Sequence, residues 1–195
     1  MPDQCGRIVS VQVGRARFLR VGERTVRSAI FKQPVTGPVS VGPLGLAGDE
    51  QNDLSVHGGL SKAVYALPHQ HLAWWSAQRQ KASLLDDAFV PGQLGENLSL
   101  EGVDEQGVFM GDRLRFAHGV VLRVTEPRQP CAKFNAVLGD ERAGKHMVLS
   151  GRSGFYLAVE VPGALSAGET FVLEAGARQT SVAQALQHKA YKHMR

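Results

Sequence analysis

The chain has 195 residues and a mass of 21.1 kDa; 43% of its residues are hydrophobic, and 22 Lys and Arg against 18 Asp and Glu give a net charge of +4. This composition predicts one packed globular domain and excludes a disordered chain or a disulfide scaffold, since apolar content is high and only two cysteines occur. No apolar run approaches the roughly 20 residues that span a bilayer, and residues 1–13 lack the apolar core of a secretory signal, so we expect a cytoplasmic protein with no membrane partner.

The positive charge is concentrated at the two ends of the chain. Residues 1–32 carry seven Lys and Arg against two acidic residues, and residues 178–195 carry four and none. Residues 33–177 carry eleven against sixteen, so the middle of the chain is acidic. Because no helix-turn-helix, RNP or zinc-finger pattern accompanies the basic ends, nucleic acid is not the expected partner, and solvated basic elements are the simpler interpretation.

The first half of the chain predicts three strands and one helix. Apolar and polar residues alternate over residues 6–14, 25–31 and 63–67, which is typical of strands. Pro68 then precedes a segment whose apolar residues would form a broad apolar face of a helix. Because proline favours the first turn of a helix, we expect a helix over residues 69–80.

The second half predicts four more strands and three helices. The strands cover residues 113–117, 120–125, 155–161 and 170–173. Short helices are predicted over 130–137 and 140–149, and an amphipathic helix begins at a Ser/Thr cap near Thr180 and runs almost to Arg195. Seven short strands at near-regular spacing predict a mostly β fold, a closed or nearly closed barrel with a few short helices and a C-terminal helix. We therefore expect a barrel domain over residues 1–177 and a helical remnant over 178–195.

Two glycine-containing segments are candidates for ligand contacts. In residues 45–50 and 56–59, glycines allow close backbone approach and His57 offers an imidazole, although a hairpin connection with a structural histidine explains these residues too. In residues 95–98, Glu96 and Asn97 are suited either to orienting a polar ligand or to capping the start of a strand.

Cys131 is the strongest candidate for chemistry. It follows the strand over 120–125 and two prolines, Pro127 and Pro130, and it lies between the cations Arg128 and Lys133, so positive charge is nearby. Positive charge favours the thiolate, which is both the nucleophile and the soft-metal ligand. One alternative is a Cys131–His57 hydrolase or transferase in which Asp49 or Asp53 orients the imidazole.

In this order, the segments resemble the MOSC domain, the module found at the C-terminal end of molybdenum cofactor sulfurases and as free-standing bacterial proteins. The match is most similar to the free-standing type linked to resistance to N-hydroxylated bases such as 6-hydroxylaminopurine. The segments that carry the resemblance are 28–32, 45–49, 56–59, 63–65, 95–98, 111–112, 127–133 and 151–156.

The resemblance implies a barrel that holds the pterin form of the molybdenum cofactor, with Cys131 as the protein thiolate on molybdenum. Lys32, Arg128 and Lys133 would then neutralise the pterin phosphate, and Asn97 would line the substrate side or bind the pterin. The implied reaction is the two-electron reduction of an N-hydroxyl group, with His57 as the best candidate for the acid that protonates the departing oxygen. The alternative within the same family is a non-catalytic cofactor or sulfur carrier.

The resemblance also bears on partners. The sequence has no flavin fingerprint and no iron-sulfur cysteine set, so electrons are expected from a separate reductase protein. Free-standing relatives commonly continue into a small helical bundle, of which we expect this sequence to keep the first helix alone. Docking or oligomerisation through such a bundle is therefore in doubt, and a homodimer is one option among several.

Overall fold

A computed structural model describes residues 4–52, 58–83 and 87–192. Thirteen strands occur in these residues. They are β1 (Gln4–Val13), β2 (Arg17–Val21), β3 (Arg24–Ser28), β4 (Gln33–Pro34), β5 (Val39–Gly42), β6 (Gly45–Leu46), β7 (Val64–Pro68), β8 (Leu98–Glu101), β9 (Arg113–Phe116), β10 (Val121–Pro127), β11 (Phe155–Val161), β12 (Gly163–Leu165) and β13 (Thr170–Glu174).

Seven strands close into a barrel in the order β1, β13, β9, β10, β11, β7 and β8. All neighbours are antiparallel except the parallel pair β7–β8, and the β1–β13 and β1–β8 pairings close the circle. The inward side chains are aliphatic and aromatic, and Ile8, Leu98, Leu122 and Phe155 are fully buried among them. Burial of this apolar set is the main stabilising contribution, and the predicted mostly β barrel is confirmed.

One barrel strand differs from the prediction. The sequence pattern favoured a strand over 25–31, but β3 ends at Ser28 and belongs to a separate two-stranded hairpin with β2. The seventh barrel strand is instead β8, in which Leu98, Ser99 and Leu100 are all buried. Its sequence, Leu-Ser-Leu-Glu, does alternate between apolar and polar residues, but the strand has only four residues, at the short end of the range on which such a pattern can be recognised.

In the described ranges, four α-helices cover the outside of the barrel: α1 (His71–Ser83), α2 (Ala132–Leu138), α3 (Ala143–Ser150) and α4 (Val182–Lys192). They form a second apolar cluster, in which the Trp75 and Phe134 rings meet edge to face at 4.8 Å. Ser181 begins α4 by accepting a hydrogen bond from the Gln184 backbone N–H, which is the predicted type of cap. Val182 and Leu186 are fully buried, so α4 packs directly on the barrel. The domain boundary near residue 177 stays a prediction.

No helix within the described residues has the length and apolar character needed to cross a membrane.

Candidate functional site

A cleft at one side of the barrel holds most of the predicted site residues. It encloses about 620 Å³ of empty space, counted out to its open mouth. Its walls come from segments 28–32, 49–52, 94–97 and 128–133, with single side chains from β7, β11 and the short 3-10 turn Leu60–Lys62. Five predicted residues line it together: Lys32, Asn97, Arg128, Cys131 and Lys133. The predicted residues His57 and Asp53 lie outside the described residues.

Cys131 and Arg128 form the centre of the cleft wall. Strand β10 ends at Pro127, and Cys131 follows in an extended conformation, immediately before α2. The Arg128 guanidinium donates from Nη2 to the Cys131 Sγ at 3.8 Å and from Nη1 to the Met147 Sδ at 3.6 Å. The thiol is half-buried, whereas Arg128 is only 5% exposed.

The surroundings of Arg128 are aromatic and sulfur-rich. Its guanidinium lies 4.2 Å from the centre of the Phe134 ring and 5.9 Å from that of Tyr65. Within the described ranges, Arg128 makes no ion pair with a carboxylate. Cation–π contacts offset only part of the cost of removing a guanidinium from water. The site therefore carries a buried positive charge suited to a thiolate or to an anionic ligand.

Lys32 is arranged differently from the prediction. Its ammonium lies 2.5 Å from the Asp49 Oδ1, and both side chains are almost fully buried. Asp49 also accepts hydrogen bonds from the Gly14 backbone N–H and from the Asn97 side-chain amide. The charge of Lys32 is thus already compensated, so its predicted role toward a phosphate stays a prediction. Asp49 is equally occupied, which weighs against its orienting an imidazole in a Cys–His hydrolase.

Asn97 connects this ion pair to the barrel. Its amide donates to the Gln12 carbonyl at 3.2 Å as well as to Asp49, and its side-chain oxygen accepts from the Tyr65 backbone N–H. Every donor of the Asn97 side chain is therefore used inside the protein. In this structure Asn97 fixes the cleft wall, and its predicted contact with a pterin or substrate stays untested.

Lys133 and Lys62 are the remaining cations of the cleft. Lys133 is half-buried and has no ion pair within the part of the chain that the structure describes. Lys62, which sequence reasoning did not select, lies 3.7 Å from Glu126 and 5.7 Å from the Tyr156 ring. Arg128 and Lys133 are consequently the cations best placed to meet an anion.

Tyr65 and Tyr156 form an aromatic wall that sequence reasoning left without a role. Their ring centres are 5.4 Å apart, and the Tyr65 hydroxyl donates to the Ser153 carbonyl at 2.7 Å. Burial raises the pKa of Tyr156 to about 12, so its phenol keeps its proton at neutral pH. The available signal was a single tyrosine in each of two predicted strands, 63–67 and 155–161, both within segments that carried the family resemblance.

Glu96 holds the loop beneath the cleft. Its carboxylate accepts hydrogen bonds from the Gly92 and Leu94 backbone N–H groups at 2.7 and 3.2 Å. It is fully buried, and this burial raises its pKa to about 7 despite those hydrogen bonds. Of the two predicted explanations for Glu96, the cap at the entrance of a strand is the one that the structure supports.

One part of the glycine-rich segment forms a hairpin, and the residues that follow it line the cleft. Gly45–Leu46 forms β6 and pairs with β5, so this part is a hairpin. The following residues turn into the cleft, and the Gln51 side chain accepts from the Gly59 backbone N–H while donating to the Ala63 carbonyl. In residues 4–52, 58–83 and 87–192 there is no group of three or more His, Cys, Asp and Glu side chains that could hold a metal ion.

Comparison with known proteins gives consistent matches. A sequence model of the MOSC domain matches residues 53–172. Protein YiiM of Escherichia coli strain K12 is 34% identical over 158 residues, which are 81% of this chain and 69% of YiiM. A reductase of Gibberella moniliformis is 34% identical over 168 residues, which are 86% of this chain but only 29% of that protein. The crystal structure of YiiM from Geobacillus stearothermophilus superposes with a TM-score of 0.73 at 30% identity, over 96% of this chain and 85% of that one.

Proposed function

The chain belongs to the MOSC domain family, and from that premise we propose that it binds the pterin form of the molybdenum cofactor and reduces N-hydroxylated compounds, with Cys131 as the protein ligand of molybdenum. N-hydroxylated purine bases are the proposed substrate class. The fungal relative that is named a reductase supports redox chemistry, although this chain spans less than a third of that protein.

One observation carries the proposal: Arg128 is buried beside the Cys131 thiol and has no carboxylate partner among the described residues. A buried guanidinium without a counter-ion is costly, and a purely structural arginine would be expected to have one. An anionic group bound in the cleft supplies that counter-charge. A Cys131 thiolate is also the donor type that a soft metal prefers.

The remaining side chains of the cleft fit an anionic pterin. Lys133 adds a second cation that is not ion-paired within the described ranges, and an ammonium binds phosphate as a point charge. The buried Lys32–Asp49 pair and Asn97 hold the opposite wall in one geometry. When bound, the cofactor would supply the two-electron redox centre.

The reaction consumes two electrons and two protons. R–NHOH, two electrons and two protons give R–NH2 and water, with the N–O bond broken and the nitrogen reduced. The departing oxygen must be protonated, and we assign that proton to the imidazole of His57. Tyr156 keeps its phenolic proton, so its hydroxyl is suited to donating a hydrogen bond to a polar group of the bound molecule.

We propose that the electrons come from a separate reductase protein, because the sequence carries no flavin or iron-sulfur motif of its own.

The direct test is turnover by protein purified from cells that supply molybdenum cofactor. Reduced methyl viologen serves as electron donor and 6-hydroxylaminopurine as substrate, and adenine is measured by chromatography. We expect the wild-type protein to form adenine and Cys131→Ala to be slower by about a hundredfold or more, since the redox centre would lose its ligand. Cys5→Ala, at the exposed second cysteine, is the matched control and should retain the wild-type rate.

Other results would favour the alternatives. Wild-type protein that holds molybdenum but forms no adenine would point to the cofactor or sulfur carrier. Protein that holds no molybdenum under these conditions, yet is rapidly alkylated at Cys131, would point to the Cys–His hydrolase.

A further inference from the structure

The hairpin of β2 and β3 stands apart from the barrel. It forms its own two-stranded sheet, and within the described residues no other strand pairs with it. The register places Phe18 opposite Arg27 and Arg20 opposite Thr25. These four side chains lie on the exposed face, while Leu19 and Val26 on the other face are half-buried. Phe18 is 76% exposed, the highest value among the large apolar side chains described.

The exposed surface of the hairpin is strongly basic. Glu23 is its only acidic residue, and the single ion pair to the rest of the described protein joins Arg27 to Glu50 at 3.9 Å. At that distance between exposed side chains, the pair neutralises little of the charge. Two exposed arginines, Arg20 and Arg27, lie on the same face of the hairpin as Phe18, and Arg15 is exposed just before β2. Arg17 and Arg24 are exposed too, but they lie on the opposite face, and the Arg17 guanidinium lies 4.3 Å from the centre of the Phe31 ring.

The hairpin is continuous with the cleft. Strand β3 ends at Ser28, and Ser28 and Ala29 line the cleft. On the other side, β2 lies against α2, the helix that Cys131 precedes. A shallow depression lined by Arg27 shares residues 49–52 with the cleft. A protein seated on the hairpin would thus be next to the mouth of the site.

We propose that this hairpin is the docking surface for an acidic electron-donor protein. The arginines would pair with carboxylates of that protein, and Phe18 would contact an apolar patch that those carboxylates surround. The inference rests on the proposed function, which requires electrons from another protein. Complementary charge accelerates encounter and orients the partners, and electron-transfer complexes are typically small and transient. A two-stranded hairpin with one exposed aromatic residue offers a small contact surface of the size that such transient complexes use.

A protein partner explains the charge distribution better than a nucleic acid does. Residues 33–177 have a net negative charge, so a long polyanion extending beyond the hairpin would be repelled by much of the remaining protein. The hairpin also has a single aromatic side chain, Phe18, whereas single-strand binding sites stack several bases on several aromatic rings.

The test measures binding directly, so that it does not depend on turnover. A purified acidic plant-type [2Fe–2S] ferredoxin is titrated into the cofactor-loaded protein by calorimetry, at about 20 mM and about 300 mM salt. We expect Arg20→Glu/Arg27→Glu, at the two arginines on the face of Phe18, to weaken binding at least about tenfold at low salt, and the difference to shrink at high salt. Lys81→Glu/Lys145→Glu changes the net charge equally at exposed positions outside the hairpin and should change binding by no more than about twofold.

Phe18→Ser tests the apolar contact without a charge change and should weaken ferredoxin binding about fivefold.

Several results would overturn the docking proposal. One is equal weakening of ferredoxin binding by the hairpin variants and the control variants. Another is that the wild-type protein does not bind the ferredoxin at low salt. A third is that a short DNA duplex binds through the same arginines, while their substitution leaves ferredoxin binding unchanged. Failure of the proposed function is separate: it would appear as no adenine formed with reduced methyl viologen, a small donor that needs no docking surface.

Discussion

The Arg128 guanidinium lies 3.8 Å from the Cys131 thiol although Arg128 itself is 95% buried and has no carboxylate partner within the described chain. The two residues are three apart in sequence, and the turn between β10 and α2 brings them to the same wall. Arg128 is thereby held among rings and sulfur atoms, and among the described residues no carboxylate balances its charge, which a thiolate or a bound anion would do.

Arg128→Met separates a binding role from a structural one. Methionine fills similar space beside Phe134 and Met147 and removes a buried charge, so we expect the cofactor-free protein to be as stable as the wild type or more stable, by up to about 1 kcal/mol. Molybdenum content should nevertheless fall about tenfold. Arg152→Met, at an arginine stacked on Trp74 outside the cleft, should leave the molybdenum content unchanged. Thermal unfolding and metal analysis measure the two effects, and strong destabilisation with normal metal content would contradict the assignment.

Lys32→Met should be strongly destabilising. It leaves the Asp49 carboxylate buried with two hydrogen bonds but no counter-ion, and breaking a buried pair in this way costs about 3 kcal/mol or more. Arg7→Met breaks the exposed pair with Glu101 and serves as the control, for which little change is expected. Urea unfolding at pH 7 compares the two variants. Similar midpoints for both would show that the Lys32–Asp49 pair does not stabilise the cleft wall.

Glu96 should make stability fall as the pH rises toward neutrality. Burial raises its pKa from 4.5 to about 7, so between these values the folded protein binds more protons than the unfolded chain. The contribution of Glu96 is fully present below about pH 4.5 and is lost by about pH 7, a change of roughly 3 kcal/mol in the free energy of unfolding. Urea unfolding of wild type and Glu96→Gln at a series of pH values should therefore show a flatter profile for the variant. Parallel profiles would contradict this, whatever the absolute stability of the variant.

Gly154→Ala should distort the aromatic wall. Gly154 has a φ of +68°, and an added Cβ would lie 2.4 Å from the Ala66 carbonyl oxygen and 2.7 Å from the Tyr65 ring. Because the carbonyl belongs to a barrel strand, it cannot move away easily, and we expect a loss of about 3 kcal/mol or more. Gly22→Ala has a similar φ of +60° but open space around it, so about 1 kcal/mol is expected. Chemical denaturation of both variants measures the loss in the free energy of unfolding. Equal losses in Gly154→Ala and Gly22→Ala would mean that the close contact of residue 154 with the Ala66 carbonyl is unimportant.

The sequence predicted the barrel because most of its strands bury one face and expose the other. The alternation in β9, β10 and β13 is visible without any structure. β2 was missed because arginines interrupt its apolar residues, and β8 because its alternating segment has only four residues. The segment after Ser28 reads as a strand, yet the Lys32 backbone N–H donates to the Gly92 carbonyl and the chain turns into the cleft.

The candidate site was predictable where its residues are close in sequence. Arg128, Cys131 and Lys133 fall within six positions, so any turn after β10 brings them together. The Lys32–Asp49 pair joins residues seventeen positions apart, and only the folded barrel shows that their charges cancel. The same holds for the Tyr65–Tyr156 contact, which depends on the pairing of β7 with β11.

The molybdenum content of protein purified from cells that supply the cofactor tests directly whether Cys131 holds the molybdenum cofactor. We expect a near-equimolar amount in the wild type and in Cys5→Ala, and its loss in Cys131→Ala. Molybdenum retained by folded Cys131→Ala, or absent from the wild type, would contradict it.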